Sequence, residues 1–393
     1  MDQLEGKTSP ALSKSTVEDE ALYWSEGAER AESLGNRGRL RFDDAGELAS
    51  DILEAYNRTG FYVFEQLIDS EELSEFDTDL QELLRRAPAE AGSETDREGQ
   101  PALGDGANPQ FLWAPALSDP WGGTELLNGR HPVAMNGPSI SPQTKAETIF
   151  LILGLFQHMP SALRLSAHPQ LLKVAEALNG PDFVPYNDTI FLKEPGLGAA
   201  VAWHQDGTTH WERPDWHPEI HGFNFMAQFY PTTPANALWL VPGSHKDGRI
   251  NIPELVQANA GSTRLPDAVP MLCERGDVVV CNRQCLHGSF ANASPHRRAT
   301  FVWGFFRRDA VLDVEVEIPA TRAGQESGRR QYSADLIQSR SQLVQWAIEA
   351  RHSHRPTETS YIYQPFLGQP RQLDSAASLK AALHRYNEGT IFI

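Results

Sequence analysis

The sequence predicts a mainly β fold with flanking helices, and three observations carry that prediction. Between residues 183 and 307, short runs rich in Val, Phe, Trp and Ile alternate with Gly, Pro, Asn and Asp, the pattern of strands joined by tight turns in a sandwich or barrel rather than a parallel sheet. Helical periodicity occurs on both sides of this block, so helices should cover one face of the sheet. The 393 residues, 40% hydrophobic and 22% charged, suffice for a large core and exclude a collagen, a low-complexity array or a wholly disordered chain.

In chain order, residues 1–45 mix Ser, Glu, Gly and Arg without sustained periodicity and read as a loosely packed arm. A helix follows from Glu47 through Tyr56, then the aromatic strand Phe61 to Phe64. Asp69, with Glu72 three residues on, is an N-cap that opens a helix to about Arg86. Residues 87–110, rich in Ala, Glu, Gly and Pro, form a loop or lid. A helical block covers about 144–157 and 161–178, closed by Asn179-Gly180. The strands are 183–193, 199–204, 223–230, 237–241, 269–273, 277–282 and 299–307. A helix from Ala334 to Ala350 and an irregular, partly aromatic tail complete the chain. The implied division is an arm (1–45), one domain (46–330, β block about 183–308) and a packed C-terminal extension (331–393).

The formal charge is −18, of which −15 sits in residues 1–100, and no basic stripe appears, which argues against nucleic acid or an anionic membrane as partner. The longest apolar run, Ile149 to Phe156, is far short of the ~18 residues that span a bilayer. With no signal-like start, a cytoplasmic protein is expected. Cys273, Cys281 and Cys285 lack Cys-x-x-Cys spacing and read as reduced packing residues; a zinc site from Cys281, Cys285 and His287 is the alternative and lacks a fourth ligand. The sequence does not give the oligomeric state.

His-x-Asp/Glu triplets include those at His204, His217 and His245. His204 ends the apolar strand Ala200 to Trp203, where His204 and Asp206 project to the same side, as two ligands of one ion must. Proline interrupts the second triplet, and the third follows a Pro-Gly-Ser turn that suggests a solvated His245. The best third ligand is His287, at the end of the strand Asp277 to Cys281, which gives a two-His, one-carboxylate face with open positions suited to Fe(II).

Trp203-His204-Gln205-Asp206-Gly207, Leu238-Trp239-Leu240-Val241-Pro242-Gly243-Ser244-His245, and His287-Gly288-Ser289 with Asn292 and Arg298 behind them, resemble the phytanoyl-CoA dioxygenase family of Fe(II)/2-oxoglutarate oxygenases. Gly60-Phe61-Tyr62-Val63 extends the likeness to roughly residues 45–308. The resemblance implies a double-stranded β-helix, with His204, Asp206 and His287 on iron and Arg298 on the far carboxylate of 2-oxoglutarate. An Arg fork suits that carboxylate, and alternation sends the adjacent Arg297 outward. Ser289 is similar to a family Ser that hydrogen-bonds the cosubstrate, and Lys193 could also reach it. On strand 223–230, Phe223, Phe225, Ala227 and Phe229 should pack under the helices, which turns Asn224 and Gln228 toward the barrel interior, toward substrate and cosubstrate. The aromatic loop 207–222, with His210, Trp211 and Arg213, reads as a substrate wall. The sequence departs from the family in Ala235-Asn236-Ala237, where an Asn-Gly pair is usual before the Leu-Trp strand, and in its tail after 330.

The implied reaction is O2-dependent hydroxylation of an unactivated carbon of a small molecule, with release of succinate and CO2. Halogenating family members replace the carboxylate that Asp206 supplies, which favours hydroxylation or a related desaturation. Two other readings use the same residues: a binding protein of this fold without turnover, and a zinc hydrolase on the same His/Asp/His face.

Overall fold

The computed structural model describes residues 14–104, 110–119, 135, 147–206, 222–318, 328–369 and 375–388. In chain order the elements are α1 (Lys14–Ser33), β1 (Arg37–Gly38), α2 (Ser50–Thr59), β2 (Phe61–Phe64), α3 (Ser70–Arg85), β3 (Gln110–Pro115), β4 (Glu147–Leu153), α4 (Pro160–Ser166) and α5 (Pro169–Asn179). There follow β5 (Phe183–Lys193), β6 (Val201–His204), β7 (Phe223–Gln228), β8 (Trp239–Leu240), α6 (Ile252–Ala258), β9 (Val269–Pro270), β10 (Val278–Asn282) and β11 (His287–Ser289). The last are β12 (Arg298–Arg307), α7 (Arg308–Val311), β13 (Glu315–Ile318), β14 (Gly328–Gln331), α8 (Ala334–His354) and α9 (Ala376–Glu388).

Two sheets dominate. The larger runs β1-β2-β10-β7-β12-β5-β4-β3 and is antiparallel apart from the β1–β2 edge; the smaller runs β6-β11-β8-β9. Alternation divides the large sheet cleanly. Phe223, Phe225, Ala227 and Phe229 of β7 and its end, with Ala299, Phe301 and Trp303 of β12, pack outward against helices α2 to α5 and α8. Phe76 of α3 stacks on Phe229 with ring centroids 3.5 Å apart, and burying each such ring stabilises the fold by roughly 1.5–3 kcal/mol. The opposite face, with Phe61, Val63, Met226, Val279 and Val302, meets Leu240 and Val269 of the small sheet. Two antiparallel sheets closed face to face over this second core are the jelly roll of a double-stranded β-helix.

The Asp69 cap forms as the sequence predicts, accepting from the Glu72 N–H at 2.9 Å. Three expectations need correction. Residues 147–153 are strand β4, not helix: the run pairs with β3 and β5 and is covered on both faces, which removes the alternation that would have marked it. The stretch 14–33 of the supposed loose arm is helix α1, whose Tyr23 stacks on Trp239 at 4.8 Å and whose Gly27 lies so close to Trp239 that a Cβ there would overlap the indole. The tail contains α9, which brings Ala382 and Leu383 into the main core. Among the described residues no helix is long and apolar enough to cross a membrane.

Candidate metal centre

The central ligands arise from one strand pairing. β6 and β11 run antiparallel with His204 directly opposite His287, which sets the two imidazoles side by side with ring centroids 4.1 Å apart. Alternation then places Asp206 on the His204 side and Gln205 on the other. Gln205 is a buried anchor: its amide donates to Gly248 O and Gln284 O at 2.9 and 2.7 Å and accepts from Ile250 N. Asp206 is held from its backbone as well, its N–H donating to Arg283 O at 2.8 Å.

Each imidazole has its tautomer set by the chain. Nδ1 of His204 donates to Ala202 O at 2.7 Å and Nδ1 of His287 donates to Cys285 O at 2.8 Å, so the lone pair of each ring sits on Nε2. These Nε2 atoms lie 3.6 Å from Asp206 Oδ1 and 3.9 Å from Asp206 Oδ2 respectively. His204, Asp206 and His287 form the one His/Cys/Asp/Glu cluster among the described residues with ligand atoms mutually within 4.8 Å. Two imidazoles and one carboxylate form the open face that suits Fe(II).

The cysteine alternative does not assemble there. Cys273, Cys281 and Cys285 are buried free thiols, consistent with packing residues. His245 is buried rather than solvated, on a turn of 3₁₀ helix where its Nε2 meets Asn57 O at 3.2 Å.

On β12 the alternation predicted for the two arginines holds. Arg297 points outward to Glu194 at 2.9 Å, whereas Arg298 is 3% exposed on the interior face with Thr300 and Val302. Arg298 spends Nη1 on Asn236 O at 2.9 Å, and its Nε has no hydrogen-bond partner among the described residues. Burial pulls its pKa down to about 10. A desolvated cation without a carboxylate is costly, and an anion delivered to it would remove that cost. Ser289, two residues beyond His287 and fully buried, has an equally unpartnered Oγ. These two orphaned groups suit the carboxylate of a cosubstrate such as 2-oxoglutarate.

Asn224 and Gln228 face the interior as expected, but both amides already have protein partners. Asn224 Nδ2 donates to Asp206 Oδ2 at 2.9 Å, leaving its Oδ1 unpartnered, and Gln228 Oε1 accepts from Thr300 Oγ1 at 2.8 Å. Lys193, the cross-strand neighbour of Arg298, is buried and donates to the Ala199 and Phe290 carbonyls, the latter at 2.7 Å, so its ammonium serves loop closure rather than pointing at an open site. Burial, with the nearby Arg298 charge, pulls its pKa well below the usual lysine value. His210, Trp211 and Arg213 lie outside the described residues. Sequence reasoning missed Arg283, a buried guanidinium beside Asp206, because nothing in the run Asn282-Arg283-Gln284 marks it.

Residues 143–300 match the family model of phytanoyl-CoA dioxygenase (PhyH), the family that the motifs resemble. Phytanoyl-CoA dioxygenase 1 of Oryza sativa subsp. japonica is 34% identical over 113 residues, 27% of this chain and 39% of that protein. Phytanoyl-CoA dioxygenase domain-containing protein 1 of Danio rerio is 25% identical over 161 residues, 38% of this chain and 54% of that protein. The matched segments thus span about half or less of these relatives. Among solved structures, EctD from S. alaskensis with 2-oxoglutarate and 5-hydroxyectoine is 19% identical at a TM-score of 0.48, covering 69% of this chain and 80% of that one. AviO1 from Streptomyces viridochromogenes Tue57 is 22% identical at 0.45, covering 68% and 96%. These structural likenesses are too distant to carry an argument.

Proposed function

From the premise that residues 143–300 match the phytanoyl-CoA dioxygenase family, we propose that the protein is an Fe(II)/2-oxoglutarate-dependent oxygenase that hydroxylates an unactivated carbon of a small molecule. The observation that carries this reading is the pairing of His204 with His287 across β6 and β11 beside Asp206, with each Nδ1 tied to a backbone carbonyl. Iron and 2-oxoglutarate, when bound, supply an O2-derived oxidant able to attack a C–H bond, with succinate and CO2 as coproducts.

The chain's own residues orient and exclude. His204, Asp206 and His287 hold the iron on one face; Arg298, with Ser289, takes the far carboxylate of 2-oxoglutarate. The apolar residues between the sheets, Met226, Val279 and Val302 among them, keep the interior dry, which strengthens the charge pairing at Arg298. Gln228 holds Thr300 beside Arg298. In this reading the loop 207–222, with His210, Trp211 and Arg213, supplies the substrate wall, and Arg213 would suit an anionic substrate group. The oxygenase domain would comprise residues 46–330, with 331–393 packed on it as an extension. Three buried free thiols suit a reducing compartment such as the cytoplasm.

Succinate release and O2 uptake, measured on mixing the protein with Fe(II) and 2-oxoglutarate, test the assignment. Both signals should require both additions. Activity supported by zinc with no 2-oxoglutarate requirement would replace it with hydrolysis.

A further inference from the structure

Arg283 is an unusual residue to find where it is. It is 6% exposed, it follows a strand rather than lying on a surface, and its Nε lies 3.8 Å from Asp206 Oδ2. Its guanidinium lies against a pair of rings, 4.6 Å from the centroids of both Tyr186 and Phe306, which are themselves 4.9 Å apart and tilted by 51°. Two aromatic faces on one side of the cation hold it by cation–π attraction and restrict where the fork can turn.

The ring pair itself is built from distant parts of the chain. Tyr186 lies on β5 and Phe306 on β12, within a cluster that includes Val311, Val314, Tyr332 and Ile337. Arg340 of α8 donates to the Tyr186 carbonyl. Gly304 is required beside it, since a Cβ there would overlap the Tyr186 ring. The C-terminal segment therefore steadies the two rings that steady Arg283.

Arg283 and Asn224 converge on the same oxygen. Asn224 Nδ2 lies 2.9 Å from Asp206 Oδ2, and the Arg283 Nε is 3.8 Å from it, while the Arg283 carbonyl accepts the Asp206 N–H. Oδ1 lies 3.6 Å from His204 Nε2, and Oδ2, 3.9 Å from His287 Nε2, faces the site as well, so it would be available to an ion were it not engaged by these groups. We propose that Arg283 is a positioning residue that, with Asn224, reserves Oδ2 of Asp206, so that the carboxylate offers an ion a single oxygen and leaves open positions for a chelating cosubstrate. The proposal rests on the oxygenase reading for the identity of that cosubstrate; the reservation of Oδ2 does not.

The sign of the effect separates this role from simple scaffolding. Removing a cation beside a dication site favours metal binding electrostatically, while freeing Oδ2 lets Asp206 occupy a position that the cosubstrate needs. Arg283→Met fills the space beside the two rings with a flexible apolar chain, and Arg283→Lys restores the charge without the fork. The test is anaerobic titration of the full-length protein, first with Co(II) and then with Fe(II) followed by 2-oxoglutarate, read by visible absorption. Arg283→Met should hold Co(II) at least as tightly as wild type, with a weaker d–d spectrum from the added ligand oxygen. Its Kd for 2-oxoglutarate should rise ~10-fold or more, the lower end of what losing a partner of a metal ligand costs. Arg283→Lys should recover part of both changes. An Arg283→Met protein with the wild-type Co(II) spectrum, or one that stays folded by circular dichroism yet loses the metal, overturns the proposal. If wild-type protein binds Co(II) but gives no response to 2-oxoglutarate, the oxygenase reading fails, and the Co(II) spectra of the variants still decide the role of Arg283.

Discussion

Truncating Arg298 is the sharpest perturbation of the cosubstrate site. The side chain is 3% exposed, makes one hydrogen bond to Asn236 O at 2.9 Å, and leaves Nε without a partner among the described residues. If it receives a carboxylate, Arg298→Ala strands that anion in a largely dry interior. Breaking one member of such a pair costs about 2 to 5 kcal/mol, which corresponds to ~30-fold to several thousand-fold in affinity. The assay is the dependence of succinate release on 2-oxoglutarate concentration, with metal content measured in parallel. Iron should still bind, the 2-oxoglutarate requirement should rise steeply, and Arg298→Lys should recover part of it because the charge returns without the fork. A second readout comes from the free protein: an uncompensated buried cation stabilises nothing, so Arg298→Met should leave the apo melting temperature unchanged or higher. Arg297→Ala is the control. Its Glu194 partner lies at the surface, where such a pair is worth about 0 to 1 kcal/mol, so cosubstrate affinity should not move. An Arg298→Ala protein whose 2-oxoglutarate requirement stays at the wild-type level would refute the reasoning.

Three further outcomes follow from the same structure. His204→Ala, Asp206→Ala and His287→Ala should each abolish iron retention with the fold intact by circular dichroism, because three ligands hold this open site; His245→Ala and His217→Ala should keep full metal content by elemental analysis. Trp211→Ala or Arg213→Ala should raise the substrate requirement, or uncouple 2-oxoglutarate consumption from product, without loss of iron; two wild-type profiles would exclude loop 207–222 as the pocket wall. Burial raises the Asp188 carboxyl from 3.8 to about 7, against the backbone N–H groups of Phe156 and Leu155 that it accepts from. The folded state then holds a proton that the unfolded chain has released, so this group's contribution to stability falls as pH rises from about 4 to about 7 and is flat above; Asp188→Asn should remove that slope from chemical denaturation curves.

The features legible in the sequence were those governed by local periodicity. Alternation placed His204 with Asp206, turned Arg298 inward and Arg297 outward, and separated Phe223, Phe225, Ala227 and Phe229 from Asn224 and Gln228. The Asp69 cap was equally local. What escaped depends on distant contacts. Strand β4 is covered on both faces, so its apolar run carries no period of two and reads as a helix. Strand β11 has three residues, too few for any pattern, although it carries His287. Helix α1 is held by the packing of Tyr23 and Trp24 on Trp239, more than two hundred residues away. Arg283 is defined by Tyr186 and Phe306 from two other strands, and no spacing in the sequence announces a contact made by three segments.

The most direct test of the central claim is the crystal structure of the protein soaked anaerobically with Fe(II) and 2-oxoglutarate. The account predicts iron bound by Nε2 of His204, Nε2 of His287 and the Asp206 carboxylate, with the far carboxylate of 2-oxoglutarate on Arg298. Iron held elsewhere, or 2-oxoglutarate absent from Arg298 with the metal in place, would contradict it.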